Sequence, residues 1–128
     1  MKKIVFIIEK TSDGFSAYAE DDNIHAATSG DTVAELRTNI VDAYNSYAEI
    51  KGWPESTIDD ITIQLDLPQF FEYYKVINAS ALGAIIGMDK TLLNQYVNGH
   101  KKAGPKQVQR ILTGIKRLGA ELSSLELA

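Results

Sequence analysis

Cysteine is absent from the 128-residue chain. That excludes disulfide scaffolds, cysteine nucleophiles, and zinc or iron–sulfur sites built on thiolates. Histidine is scarce: His25 and His100 lie 75 positions apart in sequence. His25 reads as a strand-surface or core residue, and His100 as a loop residue or phosphate contact. Long apolar runs are missing. The stretch Ile4-Val5-Phe6-Ile7-Ile8 is stopped by Glu9 and Lys10, too short for the apolar region of a signal peptide. No stretch approaches the roughly 20 apolar residues of a membrane helix. The expectation is a cytoplasmic protein with no membrane partner. No G-x-S-x-G, P-loop or H-E-x-x-H motif occurs, and there is no fixed-period repeat or low-complexity tract. The three prolines each mark a boundary: Pro54 after one helix, Pro68 between two regions, and Pro105 at the start of another helix.

What is present is ordinary globular composition, 45% apolar and 23% charged. The length suits one domain or two very small ones, enough to bury roughly two-thirds of the unfolded surface. The net charge of −4 hides a split. Residues 1–68 carry five basic and thirteen acidic side chains, a net of −8. Residues 69–128 carry eight basic and four acidic, a net of +4. The acidic half suits a basic partner, and the basic half can neutralise phosphates. Chance scatter of charge in small domains is the plain alternative.

Local patterns divide the chain at Pro68. Residues 2–9 are β-branched and apolar, a buried strand. Thr11-Ser12-Asp13-Gly14 is a turn with the Asp-Gly pair of hairpins. Residues 15–19 form a second strand and residues 24–29 a short third one. Thr32-Val33-Ala34-Glu35 has the T-x-x-E form of a capping box. Val33, Leu36, Ile40, Tyr44 and Tyr47 then mark one face of a helix running to about Ile50. Residues 61–67 alternate strictly, as a half-buried strand does. The fold class is therefore α+β: a small β-β-β-α-β domain over 1–68, rich in antiparallel pairs, followed by an all-α domain over 69–128. In the second domain Pro68 opens a helix with Phe70, Phe71 and Tyr74 on one side. Asn78 caps a second helix with Leu82, Ile85 and Ile86 inward. Asp89 caps a third over 90–97, ended by Asn98-Gly99. Pro105 opens a fourth with Val108, Ile111, Leu112, Ile115 and Leu118 on its apolar face. The tail from Glu121 to Leu127 extends that helix or pairs with another chain.

Helices over 79–86 and 90–97 joined by a three-residue turn have helix-turn-helix spacing. Gly83 and Ala84 allow a close crossing, Gly87 allows the turn, and Leu82, Met88 and Leu93 close a small core. Lys90, Thr91, Leu92, Asn94 and Gln95 are left on the outer face. Gln and Asn can pair with adenine, lysine with guanine, and Leu92 can touch a thymine methyl. The start of the third helix offers amides and a positive dipole end to phosphate or base edges. The segment from Leu82 through Gly87-Met88-Asp89 and Asn98-Gly99-His100 to Lys102 resembles the Xre/Cro-type repressor domain. The resemblance covers residues 69–119. It implies bases read by Lys90, Thr91, Leu92 and Gln95, and phosphates held by Asn98, His100, Lys101 and Lys102. Ala79 stands where many members place a phosphate-binding glutamine, and Val97 where many place a glutamate. A four-helix cap that binds protein is the plain alternative.

Asp13-Gly14-Phe15 and Thr28-Ser29-Gly30-Asp31-Thr32-Val33-Ala34-Glu35, with Asn39, Ala43 and Tyr44 downstream, resemble the N-terminal domain of HicB antitoxins. That domain is a partial RNase H-like fold. The resemblance covers residues 3–50 and departs over residues 20–27, where many members carry a Pro-x-Leu-x-Gly-Cys stretch. It implies an antitoxin that masks a small basic HicA-type ribonuclease toxin through its acidic domain. The second domain would repress its own operon on double-stranded operator DNA. One such module makes few base contacts, so a homodimer or higher homo-oligomer on two half-sites is implied. The tail from Leu118 to Leu127 or a sheet edge would form it. The alternative is a stand-alone regulator whose first domain binds a ligand or another protein. A nuclease needs clustered carboxylates. Asp13, Glu20, Asp21, Asp22, Glu35 and Asp42 fall in turns or on an outer helix face and read as solvated charge. No catalytic residue, metal ligand or cofactor is expected. Tyr44, Tyr47 and Trp53 read as core or interface.

Overall fold

The computed structural model describes residues 4–127. The chain is a mixed α+β protein that divides into two compact units, Met1–Tyr73 and Tyr74–Ala128.

The first unit is a four-stranded sheet with a long helix on one face. β1 (Ile4–Thr11) and β2 (Gly14–Ala19) form a hairpin whose two-residue turn is Ser12-Asp13 rather than Asp13-Gly14, with Gly14 paired to Thr11, Phe6 opposite Ala19 and Ile8 opposite Ala17. β3 (Ala27–Gly30) pairs antiparallel with β2. It is shorter and later than residues 24–29, because Asp21 and Asn23 hold a turn before it through the Asn23 amide and Asp21 Oδ1, 2.9 Å apart. α1 (Val33–Lys51) follows, capped by the Thr32 hydroxyl, which accepts from the Glu35 amide at 3.1 Å, and closed by left-handed Gly52. A 3-10 turn over Ile58–Asp60 leads into β4 (Ile61–Leu65), which pairs with β1 in parallel, Ile4 beside Ile61 and Ile8 beside Leu65. The sheet order is β3-β2-β1-β4.

Alternation along the strands puts Phe6, Ile8, Ala17, Ala19 and Ile61 on one face, buried against Leu36, Ile40, Tyr44 and Ala48 of α1. These helix positions step in fours. Each step advances the stripe about 40° around the axis, which carries it away from Val33. Val33 is accordingly 43% exposed rather than on the buried face.

α2 (Leu67–Tyr73) belongs to the first unit, so the division falls after Tyr73 and not after Pro68. The reason is Gln69. Its side-chain amide accepts from the Lys10 amide at 2.8 Å and donates to the Lys10 carbonyl at 2.7 Å. It thereby takes over the β1 ladder where β4 stops. The Lys10 ammonium lies over the rings of Phe15 and Tyr73, 4.8 and 5.5 Å from their centres.

The second unit contains α3 (Ala79–Ile86), α4 (Lys90–Val97) and α5 (Pro105–Ser123). Its buried side chains are Leu82, Met88, Leu93, Tyr96, Ala103 and Ile111. Ile85 is 46% exposed and not inward. The inward face of α3 centres between Leu82 and Gly83, where it meets α4, and Ile85 lies well off that line.

Candidate nucleic-acid interface

Local chemistry fixes both ends of α3 and α4. The Asn78 side chain accepts from the Ala81 amide, and the Asp89 side chain from the Leu92 amide, each at 3.1 Å. Both are N-caps that satisfy an amide lacking a helical partner. Gly87 ends α3 at φ 68°, a conformation that strains other residues. The Met88 amide then donates to the Gly83 carbonyl at 3.0 Å. A Cβ on Gly83 would lie 3.1 Å from the Met88 carbonyl oxygen and 3.4 Å from Leu93 Cδ2. The two helices therefore touch at Gly83. Ala84 is exposed and takes no part in that crossing.

The contact has a third member that sequence reasoning missed. Arg110 of α5 donates through one Nη to the carbonyls of Ile86 (3.3 Å) and Gly87 (2.5 Å). A cation at a helix C-terminus satisfies carbonyls that lack a helical donor. One turn further along α5, Gly114 receives the side chain of Ile86, whose Cγ2 occupies the space a Cβ would need. No local pattern in the sequence reveals either pairing, because they join residues about two dozen positions apart.

With Leu93 and Tyr96 buried, the remaining surface of α4 carries Lys90 and Thr91, exposed, and Leu92, Asn94 and Gln95, partly exposed. Asn98, His100, Lys101 and Lys102 are exposed after it. The Lys101 amide donates to the Gln95 carbonyl at 3.2 Å, which holds the loop against the end of α4. All nine candidate residues are thus at the surface of one unit. That unit carries eight basic and three acidic residues, a net of +5. One expectation changes in detail. The Asp89 carboxylate occupies the first turn of α4 and engages the Leu92 amide, so the helix start is not a free cluster of amides.

The first unit has a different surface. It carries five basic and fourteen acidic residues, a net of −9. The sheet face opposite the α1-packed face bears Val5, Ile7, Glu9, Ser16, Tyr18, Thr62 and Gln64, none of them fully buried. Burial raises the Tyr18 phenol pKa above its ordinary 10.0, and the nearby carboxylates of Glu9, Asp66 and Glu20 raise it further.

A cleft of about 650 Å3 opens between the start of β1, the β2–β3 loop and the segment after α1. Ile24, Tyr44, Trp53 and Pro54 form its apolar walls, and Glu20 and Glu55 are among its acidic lining. Tyr44 is buried. Tyr47 is partly buried, donates its hydroxyl to the Asn23 carbonyl at 2.8 Å, and meets the edge of Trp53 at 5.6 Å. His25 is exposed, 6.0 Å from the Tyr47 ring centre. Asp13, Asp22, Glu35 and Asp42 are exposed in turns or on α1. Among the described residues no group of three or more histidines and carboxylates is placed to hold a metal ion, and no helix is long and apolar enough to cross a membrane.

No family model matches the chain, and neither a curated protein nor a solved structure gives a significant match to it.

Proposed function

We propose that α3 and α4 form a helix-turn-helix of Xre/Cro type that reads double-stranded DNA. The chain would act as a HicB-like antitoxin and autorepressor without a catalytic role. One observation carries the reading: Lys90, Thr91, Asn94 and Gln95 lie on the side of α4 away from buried Leu93 and Tyr96, and the exposed Lys101-Lys102 loop is tied to the end of that helix, on a unit of net charge +5. A short helix with amide and ammonium side chains outward fits a major groove. Its flanking lysines supply the salt-dependent phosphate term.

The acidic first unit is the proposed docking face for a small basic toxin. It would compete with RNA for the toxin's cationic surface. The Tyr18 face, with Glu9, Glu20 and Asp66 acting on the phenol, supports that reading.

Fluorescence anisotropy with DNA from upstream of the chain's own gene tests the DNA half. Specific binding is expected, with Lys90→Ala plus Gln95→Ala weakening it at least tenfold while circular dichroism stays unchanged. Equal affinity for that DNA and for unrelated DNA would remove the regulator reading. Co-purification with the product of an adjacent gene encoding a small basic protein tests the toxin half.

A second reading, a stand-alone regulator whose first unit senses a ligand, draws on the cleft beside Trp53. Its volume lies within the roughly 300–1,000 Å3 of small-molecule sites. The lack of any basic protein partner would favour it.

A further inference from the structure

Two kinds of side chain line the cleft of the first unit. Ile4, Ile24, Tyr44, Trp53 and Pro54 are apolar or aromatic, and the charged groups are Glu20, Asp21, Glu55 and Asp60. Among the described lining residues none is basic. Trp53, the only tryptophan of the chain, is left 39% exposed there.

Polar ties fix the shape of the cleft. On one side Asn45 of α1 clamps the backbone of Ser56. Its Oδ1 accepts from the Ser56 amide at 2.8 Å, and its Nδ2 donates to the Ser56 carbonyl at 3.0 Å. The Trp53 amide donates to the Ala48 carbonyl at 2.8 Å. On the other side the Tyr47 hydroxyl holds the Asn23 carbonyl, and the Glu20 amide donates to the Val5 carbonyl at 2.9 Å. Both sides are therefore tied to α1 or to the sheet by bonds that need no occupant. A site already shaped loses less free energy to ordering when it binds.

The lining also selects the chemistry of an occupant. An anion would meet four carboxylates and no compensating cation among the described lining residues. A bare metal ion is poorly served, because no three carboxylates or histidines among the described residues converge to hold one. A cation with an apolar body fits both parts of the lining. Glu55 is exposed and forms no hydrogen bond or ion pair with a described residue. An indole ring attracts a cation lying within about 6 Å of its face. The volume, about 650 Å3, suits a whole small molecule rather than the tip of one lysine or arginine side chain.

We infer that this cleft binds a small organic amine, its protonated nitrogen paired with Glu55 and its apolar body against Trp53, Pro54 and Ile24. The inference rests on the second reading above in taking the cleft as a ligand site, and it adds the class of ligand.

Trp53 emission reports occupancy directly, since no other tryptophan contributes. The full chain is titrated at low salt with 4-phenylbutylamine, 4-phenylbutanol and 4-phenylbutyrate, which carry closely similar bodies with an ammonium, a hydroxyl or a carboxylate. A saturable change is expected with the amine, at a Kd at least tenfold below that of the alcohol, and none with the carboxylate. Glu55→Gln is expected to weaken the amine at least threefold with little effect on the alcohol, and to leave the urea midpoint unchanged. Equal affinity for amine and alcohol would overturn the amine assignment and leave the ligand-site reading standing. No saturable response to any of the three would overturn both. Amine binding indifferent to Glu55→Gln would overturn the placement of the nitrogen.

Discussion

Gln69 pairs with the backbone of Lys10 as a strand residue would, accepting at 2.8 Å and donating at 2.7 Å through one side-chain amide. Few side chains carry both functions at that spacing. Gln69→Ala is expected to leave both Lys10 backbone groups without these partners and to destabilise the first unit by about 1–3 kcal/mol. Gln69→Glu keeps the acceptor and loses the donor, so it is expected to fall between the two. Urea unfolding followed by Trp53 fluorescence measures the difference. Unfolding of Gln69→Ala at the same midpoint as the parent would rule out this role.

Gly114 provides a test in the second unit. With the Ile86 side chain seated where a Cβ would stand, Gly114→Ala is expected to push α3 from α5 and cost about 1–3 kcal/mol, although alanine is the better helix former. A thermal melt of the variant reads the sign directly.

Arg110 reaches across to the carbonyls that end α3. Arg110→Ala is expected to cost about 1–3 kcal/mol, because hydrogen bonds from a charged donor are the stronger kind. Part of that cost is recovered by water, since the group is exposed. Arg110→Lys is expected to restore the charge without the reach to both carbonyls. Hydrogen exchange at the Met88 amide, which donates to the Gly83 carbonyl, should quicken in both variants, and more in alanine.

Much of this was legible in the sequence and some was not, and the divide follows distance along the chain. The limits of α3 and α4 are written locally, in Asn78, Gly87 and Asp89, and the structure places both helices over the expected residues. The membership of α2 and the role of Arg110 depend on partners far away in sequence. No window of a dozen residues contains them. The candidate site divides the same way. Exposure of Lys90 and Gln95 follows from helical period, whereas occupation of the α4 start by Asp89 is a choice between two uses of one helix end.

Salt dependence separates the two kinds of proposed DNA contact. Lys101→Ala plus Lys102→Ala is expected to flatten the plot of log affinity against log salt by about two contacts' worth. Its effect on sequence preference is expected to be small. Lys90→Ala plus Gln95→Ala is expected to do the reverse, with a loss of preference larger than its change in slope. Equal slopes in parent and Lys101/Lys102 variant would assign that loop no phosphate contact.

Tyr18 gives a pH-dependent observable. Its folded-state pKa stands above 10.0 because burial, and then Glu9, Asp66 and Glu20, disfavour the phenolate. As pH rises past 10.0 the unfolded chain therefore loses this proton first. Stability contributed by the neutral phenol is intact below that pH and declines above it. Tyr18→Phe is expected to unfold at a higher pH than the parent in alkaline titration. In the difference between their near-ultraviolet titrations, the missing tyrosine should be the late one.

The parallel seam between β1 and β4, with Ile4 beside Ile61, has a consequence for synthesis. The central strand emerges from the ribosome first, yet one of its edges stays unsatisfied until the whole hairpin, α1 and β4 have followed. α3, α4 and α5 draw on partners nearer to one another in sequence than Ile4 is to Ile61, and their delay is shorter. Relative contact order predicts slower folding for the first unit than for the second. The nascent β1 edge is therefore the stretch most in need of shielding while translation proceeds.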